Sequence, residues 1–400
     1  MSTRQRLSFV RPERGICPMS TQLVKEKGFS EGLEDIVATS SAITFIDGET
    51  GILAYRGYLI EDLAQNATFE EVTHLLWHGS LPTKSENDEL RGRLAESHDL
   101  APRVIQHIRN LPRTMHPMDA LRTAVSVMSH YDPDVEDSSH EANERKAIRL
   151  VAQTPSLVAA FDRIRNGKEP IPANPNLRIA ANMLYMLTGE EPDPISEKAL
   201  EVYLVLLADH EFNASTFAAR VTAATLSDMH SAVVSGISAL KGPLHGGANE
   251  KTMELLLKIG DPARARATVE EMMGRKEKIM GIGHRVYKLR DPRTAELKKM
   301  SKAMCEKIGK PELYEMSDTI EKTVWESKRL LANVDFYSAT VLYALGLSID
   351  IFTPLFAVSR MSGWTAHIME QHEHNRLIRP RSDYIGAAPG SRRFAPIDQR

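Results

Sequence analysis

The sequence lacks the features that would tie the chain to a disulfide framework, a membrane or a nucleic acid. Only two cysteines, Cys17 and Cys305, occur among 400 residues, and they form no Cys-x-x-Cys pair. This usage predicts neither a disulfide scaffold nor a cysteine metal site, and it favours the reducing cytoplasm. No uninterrupted apolar run approaches the ~18 residues of a bilayer-spanning helix. The formal net charge of -3 gives no bulk attraction to nucleic acid or an anionic membrane.

The N-terminal stretch from Met1 to Pro18 is basic but lacks the apolar centre of a secretory signal. Its arginines and serines weakly resemble an organelle transit peptide, but Glu13 and the missing helical period count against that reading. We expect residues 1–30 to form a disordered N-terminal extension.

Strand signals are confined to residues 42–57, where two short apolar runs flank Asp47 and Gly48. An Asp-Gly pair between such runs is typical of a β-hairpin turn. Everything after this stretch has helical period, and alternating strands and helices are absent. The sequence therefore predicts an all-α fold with a small N-terminal β-hairpin.

Several helix starts carry recognisable capping signals. Thr68 with Glu71 three residues later is a capping-box pattern, and Pro82 with Ser85 opens a second helix. Further helices are predicted at 117–130, 143–153, 156–166, 177–188 and 196–209. The segment 214–225 is rich in small residues, which let helices approach closely, so it is either a central core helix or a subunit contact.

One loop places a histidine between glycines directly before a predicted helix. Residues 241–250 contain His245, and Asn249 is positioned to cap the following helix. A ring just ahead of a helix N-terminus lies in positive potential, which favours neutral imidazole. Such a histidine could donate a hydrogen bond to a carbonyl that becomes an enolate. The alternative is a glycine loop with an incidental histidine.

Four further stretches carry isolated groups capable of chemistry. They are His210 within 208–215, His284 within 280–293, Asp335 within 333–338, and the arginines Arg360 and Arg379 in or after the last apolar helix. Each has a structural alternative. The histidines could be core or surface residues, Asp335 a helix N-cap, and Arg360 one half of an ion pair. Gly281 and Gly283 follow no clear strand, so a dinucleotide-binding loop is disfavoured.

A second histidine cluster raises a metal alternative. His367, His372 and His374 lie near Glu370 and Glu373, but no His-Glu-x-x-His pattern occurs. The sequence therefore predicts no metal site.

Three motifs, in this order, resemble the citrate synthase family. They are Gly-Pro-Leu-His-Gly-Gly-Ala-Asn-Glu at 242–250, Gly-Ile-Gly-His-Arg-Val-Tyr-Lys at 281–288 followed by Asp-Pro-Arg, and Asn-Val-Asp-Phe-Tyr-Ser at 333–338. The resemblance runs from about Gly32 to Ile397 and is closest to the short, dimeric bacterial and archaeal branch. It implies a two-domain helical fold. A large domain would comprise 31–247 and 347–400, and a small domain, 248–346, would close over the active site.

The resemblance also implies an acyltransferase that condenses acetyl-CoA with oxaloacetate and water to give citrate and CoA, the first step of the tricarboxylic acid cycle. Asp335 matches the base that enolises the thioester, His245 the group that polarises the thioester carbonyl, and His284 the group that polarises the ketone. The residues that match the oxaloacetate-binding set are His210, Arg293, Arg360 and, reaching the partner's active site in a homodimer, Arg379.

For CoA, the resemblance points to backbone and cations around the second motif. The matching residues are Lys276, Met280, Gly281, Ile282, Gly283, Arg285 and Lys288. CoA enters as a substrate, so no cofactor is implied, and no nucleic-acid or membrane partner is expected. The alternatives are a 2-methylcitrate synthase using propionyl-CoA, a non-catalytic acyl-CoA-binding helical protein and a metal-dependent hydrolase.

Overall fold

The computed structural model describes residues 30–33 and 36–400. The chain divides into two compact units, Ser41–Ile378 and a smaller one formed by Met1–Ser40 with Arg379–Arg400. Apart from Ser30, the predicted N-terminal extension lies outside the described residues. The predicted boundaries at 247/248 and 346/347 stay predictions.

The predicted hairpin is present and extends to a third strand. The antiparallel sheet has the order β1 (Thr44–Asp47), β2 (Ile52–Tyr55), β3 (Tyr58–Leu59). In the first turn the Asp47 carboxylate accepts hydrogen bonds from the backbone N–H groups of Glu49 and Thr50, at 2.9 and 3.2 Å. The second turn contains Gly57 at φ 90°, a conformation that a side chain would strain.

All the α-helices of the described residues lie in the larger unit. They are α1 (Ile60–Asn66), α2 (Phe69–His78), α3 (Lys84–Glu96), α4 (Pro102–Arg109), α5 (Pro117–Met128), α6 (His140–Arg165), α7 (Ile179–Thr188), α8 (Pro194–Leu207), α9 (Ala214–Ala223), α10 (Met229–Leu240), α11 (Ala248–Ile259), α12 (Pro262–Gly274), α13 (Thr294–Lys307), α14 (Pro311–Lys328), α15 (Val334–Ala344) and α16 (Phe352–Glu373). Single 3-10 turns occur at Glu31–Leu33, Ser129–Tyr131, Ile349–Ile351 and Ile397–Gln399. None of the helices among the described residues is both long and apolar enough to cross a membrane.

The helix starts follow local capping chemistry. The capping box predicted at Thr68 is present. The next helix is not opened by Pro82 and Ser85 as predicted. Its cap is Thr83, whose side chain and that of Glu86 each accept a hydrogen bond from the other's backbone N–H. The predicted helices 117–130, 177–188 and 196–209 are each confirmed to within two residues.

The helix break predicted between residues 153 and 156 is wrong. The predicted helices 143–153 and 156–166 are one continuous helix that contains Pro155. Proline removes one backbone hydrogen bond, but the buried apolar face continues across it, with Val151 and Leu157 both at 1% exposure or less. Packing of that face against the core therefore outweighs the local preference for a break.

The last helix, α16, is the centre of the fold. It is buried over almost its whole length and packs against α2, α6, α8, α9 and α10. The small-residue helix α9 contacts both α10 and α16. The subunit contact, which the family resemblance favours for this helix, stays a prediction. Because α16 crosses the core, any polar group on it is held in a rigid, water-poor environment.

Candidate active site

The core helix α16 carries a buried arginine that forms no ion pair with any described residue, although the charge of Asp209 acts on it. Arg360 is 1% exposed, and its Nε donates to the backbone carbonyl of Leu207 at 2.8 Å. The Nη1 atom has no hydrogen-bond partner among the described residues, and the guanidinium lies 4.8 Å from the Phe356 ring centroid. The ion pair considered for Arg360 is therefore absent from the described part of the chain. A buried, unpaired guanidinium is suited to binding an anionic ligand.

A second buried arginine is held by an aspartate that the sequence analysis did not single out. Arg293 donates through Nε and Nη2 to the two carboxylate oxygens of Asp291, at 2.9 and 2.8 Å. Oδ2 of Asp291 also accepts the backbone N–H of Val334 at 3.0 Å. Burial raises the pKa of Asp291, but the Arg293 charge and hydrogen bonds outweigh it and hold that pKa below its usual value. Asp291 thus fixes Arg293 beside the first turn of α15.

The glycine loop before His284 joins α15 through backbone contacts. The N–H of Asn333 donates to the carbonyl of Gly281 at 2.8 Å, and that of Gly283 donates to the carbonyl of Leu331 at 2.8 Å. Gly281 has φ 77°, and a Cβ there would lie 2.9 Å from the Cα of Phe336. Only glycine allows this approach, so the loop lies against the start of α15.

His284 has a defined tautomer. Its Nδ1 accepts the backbone N–H groups of Val286 and Tyr287, at 3.0 and 3.1 Å. A ring nitrogen that accepts carries no proton, so the proton of neutral His284 is on Nε2. Burial, with the charge of Arg293, lowers the pKa of His284 to about 4. His284 is therefore a neutral N–H donor at physiological pH.

His210 lies in the turn between α8 and α9 and faces the same loop. Its Nε2 lies 3.1 Å from the Tyr287 hydroxyl, and its ring centroid lies 5.4 Å from that of His284. Burial lowers the pKa of His210 well below its usual value, and the charge of Arg293 acts in the same direction. His210 is thus neutral as well.

His245 is a third neutral histidine, and one side of its ring contacts a serine. Its Nε2 lies 2.9 Å from Ser215 Oγ, which also accepts a hydrogen bond from Trp364 Nε1 at 3.2 Å. Burial lowers the pKa of His245 to about 4, and the positive charge of Arg360 contributes. Neutrality agrees with the sequence analysis, but burial rather than a helix terminus is its main cause.

The predicted cap next to His245 is wrong. Helix α11 begins at Ala248 with Gly247 at the N-cap position, and no side chain caps it. Asn249 is inside the helix and fully buried. No local sequence pattern indicates a role for Ser215. Its contact with His245 depends on the tertiary fold, which places the small-residue helix α9 beside α16.

Asp335, in the first turn of α15, is a carboxylate near Asp291 and Arg293 that forms no ion pair with any described residue. The N-cap of α15 is Asn333, whose Oδ1 accepts the N–H of Asp335 at 2.9 Å, so the N-cap alternative for Asp335 is wrong. The Oδ1 atom of Asp335 is buried without a hydrogen-bond partner in the described part of the chain. Burial raises the pKa of this carboxyl to about 7, against the opposing charges of Arg293 and Arg360. A carboxylate with that pKa is a stronger base than an exposed one.

Electrostatic interactions place these groups in one region. After burial, the influences on the His210 pKa come from Arg293, His284, Arg360 and His245. Residues from five separate stretches therefore converge in the larger unit.

The cations predicted to bind CoA lie at the surface. Lys276, Arg285 and Lys288 are exposed, and Lys288 forms an ion pair with Glu49. Among the backbone residues of that prediction, Met280 accepts a hydrogen bond from the Thr252 hydroxyl through its carbonyl oxygen, at 3.1 Å. Arg379 is the first residue of the C-terminal segment of the smaller unit. The roles of these residues, like those of Gly281, Ile282 and Gly283, stay predictions.

The second histidine cluster is part of a hydrogen-bond network. Nε2 of His367 donates to the Asp209 carboxylate at 3.2 Å, and its Nδ1 faces Arg220 Nη1 at 3.1 Å. His372 faces the Asn143 amide at 3.0 Å. Within residues 30–33 and 36–400, no group of three or more His, Cys, Asp or Glu side chains is arranged to hold a metal ion.

Comparisons with known proteins agree with the site geometry. Residues 32–381 match the family described as citrate synthase, C-terminal domain. Citrate synthase 2 of Bacillus subtilis is 51% identical over 93% of this chain and 99% of its own length. The 2-methylcitrate synthase of Shewanella oneidensis is 40% identical over 92% of this chain and 97% of its own.

A solved structure is similar over the same extent. It is the ternary complex of citrate synthase from Thermoplasma acidophilum with carboxymethyl coenzyme A and oxaloacetate, which matches with a TM-score of 0.88 and 33% identity. The match covers 93% of this chain and 100% of that one. Sequence and fold agree over nearly the whole chain, which belongs to the citrate synthase family of enzymes.

Proposed function

We propose that this enzyme condenses acetyl-CoA with oxaloacetate and water to give citrate and CoA. One observation carries the proposal. A half-buried carboxyl with a pKa near 7, Asp335, shares its surroundings with two neutral imidazoles and with Arg360, which has an unpartnered nitrogen among the described residues. The oxaloacetate and CoA analogue bound by the Thermoplasma acidophilum enzyme are of the matching chemical class.

Oxaloacetate is a dianion, and the site offers two buried guanidinium groups for it. Arg360 has Nη1 available, while Arg293 is oriented by Asp291 through its other edge. Planar guanidinium groups bind carboxylates in defined geometry. His284, with its proton on Nε2, donates to the ketone oxygen, and His210 completes the set. The substrate thus binds with its carbonyl polarised.

The thioester methyl group is a weak acid, so its deprotonation needs a base and an oxyanion donor together. Asp335 takes a methyl proton, and His245 donates a hydrogen bond to the thioester oxygen as the enol forms. The donor must be Nδ1–H, because Nε2 faces Ser215. The Ser215 hydroxyl donates to Asn213 Oδ1 at 2.7 Å in the structure. We infer that this hydrogen turns to His245 Nε2 in the reacting complex and so sets the Nδ1–H tautomer.

The enol carbon then attacks the ketone carbon and forms the new C–C bond. The ketone oxygen takes up negative charge, which His284 Nε2–H stabilises. That oxygen then takes up the proton that Asp335 removed from the methyl group, so the base is restored and no proton is gained or lost in this step. Water hydrolyses the resulting thioester, which releases CoA as the thiol and leaves the third carboxylate of citrate. Every atom comes from acetyl-CoA, oxaloacetate or water, so no metal or redox cofactor is required.

Domain closure and a shared dimeric active site, both implied by the family resemblance, complete this proposal. Residues 248–346 move over the cleft and exclude water, which limits hydrolysis of acetyl-CoA before condensation. Two copies form a cytoplasmic homodimer in which Arg379 reaches the partner's active site. Sedimentation velocity would test the dimer. Loss of oxaloacetate affinity in Arg379→Ala, with the dimer retained, would support the shared site.

The second candidate is a 2-methylcitrate synthase, favoured by the identity to the Shewanella oneidensis enzyme. A 2-methylcitrate synthase needs the same acid and base. The one additional methylene of propionyl-CoA lets a pocket discriminate between the two thioesters by only about 1–3 kcal/mol. Steady-state kcat/KM values with acetyl-CoA and propionyl-CoA, measured on one preparation, decide between them. A higher value with propionyl-CoA would replace the acetyl-CoA proposal.

The class of activity is tested by oxaloacetate-dependent release of thiol from acetyl-CoA, followed with a thiol reagent. The proposal requires release only when both substrates are present. No release would favour the non-catalytic acyl-CoA-binding protein, and release that stops in a chelator would favour the metal-dependent hydrolase.

A further inference from the structure

Three buried polar atoms without partners lie on three helices that meet at the candidate site. They are Tyr203 Oη on α8, Asn249 Nδ2 on α11 and Asp335 Oδ1 on α15, and none has a hydrogen-bond partner among the described residues. Buried polar groups are nearly always paired, so three together need an explanation. Two of these atoms are donors and one is an acceptor, so they are complementary.

The three groups act on one another electrostatically. After burial, the negative charge of Asp335 is the largest influence on the Tyr203 pKa, which lies well above its usual value, and the Asn249 side chain acts on it too. Oδ1 of Asn249 accepts the backbone N–H of Glu250 at 2.8 Å. The carbonyl oxygen of the Asn249 amide is therefore occupied, and its NH2 group is available to donate a hydrogen bond to Tyr203.

We propose that Asn249 and Tyr203 are positioning residues that form a hydrogen-bond relay to Asp335 when both substrates are bound. Nδ2–H of Asn249 donates to Tyr203 Oη, whose own hydrogen is then directed to Asp335 Oδ1. That leaves Oδ2 of the carboxylate to take the methyl proton. The relay rests on the proposed function, because it assigns Asp335 as the base.

A hydrogen bond donated to a carboxylate favours its ionised form. Without the relay the buried Asp335 has a pKa near 7 and is partly protonated at neutral pH. With the relay it is ionised and its orientation is fixed, so the base is prepared only in the complex that reacts. The other charged groups that act on Tyr203 or Asp335 are Glu250, Asp291, Arg293 and Arg360. The titratable groups His210, His245 and His284 are linked to the same two arginines.

Tyr203→Phe removes one oxygen atom and tests the relay directly. We expect kcat to fall roughly tenfold, the size of one hydrogen bond to a charged group. The KM for oxaloacetate should stay unchanged, while the acid limb of the kcat–pH profile moves to higher pH. The isotope effect on kcat with methyl-deuterated acetyl-CoA should rise, because proton abstraction becomes slower. Asn249→Ala should shift the acid limb of the kcat–pH profile less than Tyr203→Phe does. The double variant should shift it no further than Tyr203→Phe alone, since the relay passes through Tyr203.

Tyr337→Phe is the matched control. Tyr337 is also fully buried and lies two residues after the base, but its hydroxyl donates to Glu321 at 2.7 Å. It should lose stability and keep the wild-type pH limb and isotope effect. The relay is wrong if Tyr203→Phe behaves as Tyr337→Phe does. If Tyr203→Phe does not fold, an unshifted acid limb of the kcat–pH profile in Asn249→Ala would also show that the relay is wrong. A wild-type enzyme without oxaloacetate-dependent thiol release would instead overturn the proposed function.

Discussion

Replacing the proposed base should change activity and stability in opposite directions. Asp335→Asn keeps the shape of the side chain and removes its charge. We expect turnover to fall roughly 10²–10⁴-fold, the usual range for losing a general base. Folding should survive, because the Oδ1 atom of Asp335 has no hydrogen-bond partner in the described part of the chain that the change would break.

The stability change follows from the raised pKa of Asp335, which is about 7 against its usual value of 3.8. Below pH 3.8 the carboxyl is protonated in both folded and unfolded chains and has no effect. Between these values only the unfolded chain ionises, so the folded state loses stability as the pH rises. Above pH 7 the loss is complete, at most about 4 kcal/mol for three pKa units. Asp335→Asn should therefore raise the melting temperature at pH 8 and leave it unchanged near pH 3.5.

Thiol release under saturating substrates and thermal unfolding at both pH values measure the two effects. Asp318→Asn is the control, because Asp318 pairs with Lys298 and Lys322 and its pKa is lowered rather than raised. That variant should keep full activity and lose about 0–1 kcal/mol of stability at pH 8. Near wild-type turnover of Asp335→Asn, or a lower melting temperature at pH 8, would refute the assignment of a buried, destabilising base.

Three further predictions test the rest of the site. Arg360→Leu should weaken oxaloacetate binding by roughly 1.5–3 kcal/mol in calorimetry, since a charged hydrogen bond is lost, and an unchanged affinity would remove Arg360 from the site. The kcat/KM of the wild-type enzyme should rise with pH through a single pKa near 7, because both catalytic histidines, with pKa values about 4, are already neutral above pH 5.5; a second titration between pH 5.5 and 7 would contradict that neutrality. Ser215→Ala should lower kcat roughly tenfold and leave the KM for oxaloacetate unchanged, because the hydroxyl contacts His245, Asn213 and Trp364 but none of the residues proposed to bind oxaloacetate; equal changes in both constants would show that Ser215 acts elsewhere.

Local signals predicted the elements whose causes are local. The hairpin at Asp47–Gly48 and the capping box at Thr68 depend on neighbouring residues alone, and both are present. Pro155 is the opposite case, because tertiary packing of α6 outweighed a local preference. The N-cap of α11 failed for the same reason, since burial of Asn249 against neighbouring helices is invisible in the sequence.

The candidate site was predictable where residue types form motifs and unpredictable where partners come from distant segments. His245, His284 and Asp335 lie in recognisable motifs. Ser215 and Tyr203 lie in ordinary helical stretches. Only the fold shows that Ser215 faces His245 and that the charge of Asp335 acts on Tyr203. The tautomer of His284 likewise depends on backbone N–H groups whose direction no residue pattern encodes.

The site combines groups that each disfavour the substrate-free fold. Arg360 is charged and buried with no ion pair to any described residue, and Asp335 is held at a pKa where ionisation is costly. Each arrangement costs on the order of 1–3 kcal/mol, which is large beside a typical net stability of 5–15 kcal/mol. The fold tolerates this because Arg360 lies on α16, which is buried against helices that include α2, α6, α8, α9 and α10. A dianion at Arg360 offsets part of the cost, so oxaloacetate alone should raise the melting temperature of the wild-type protein, and Arg360→Leu should abolish that rise while its own ligand-free melting temperature stays equal or higher.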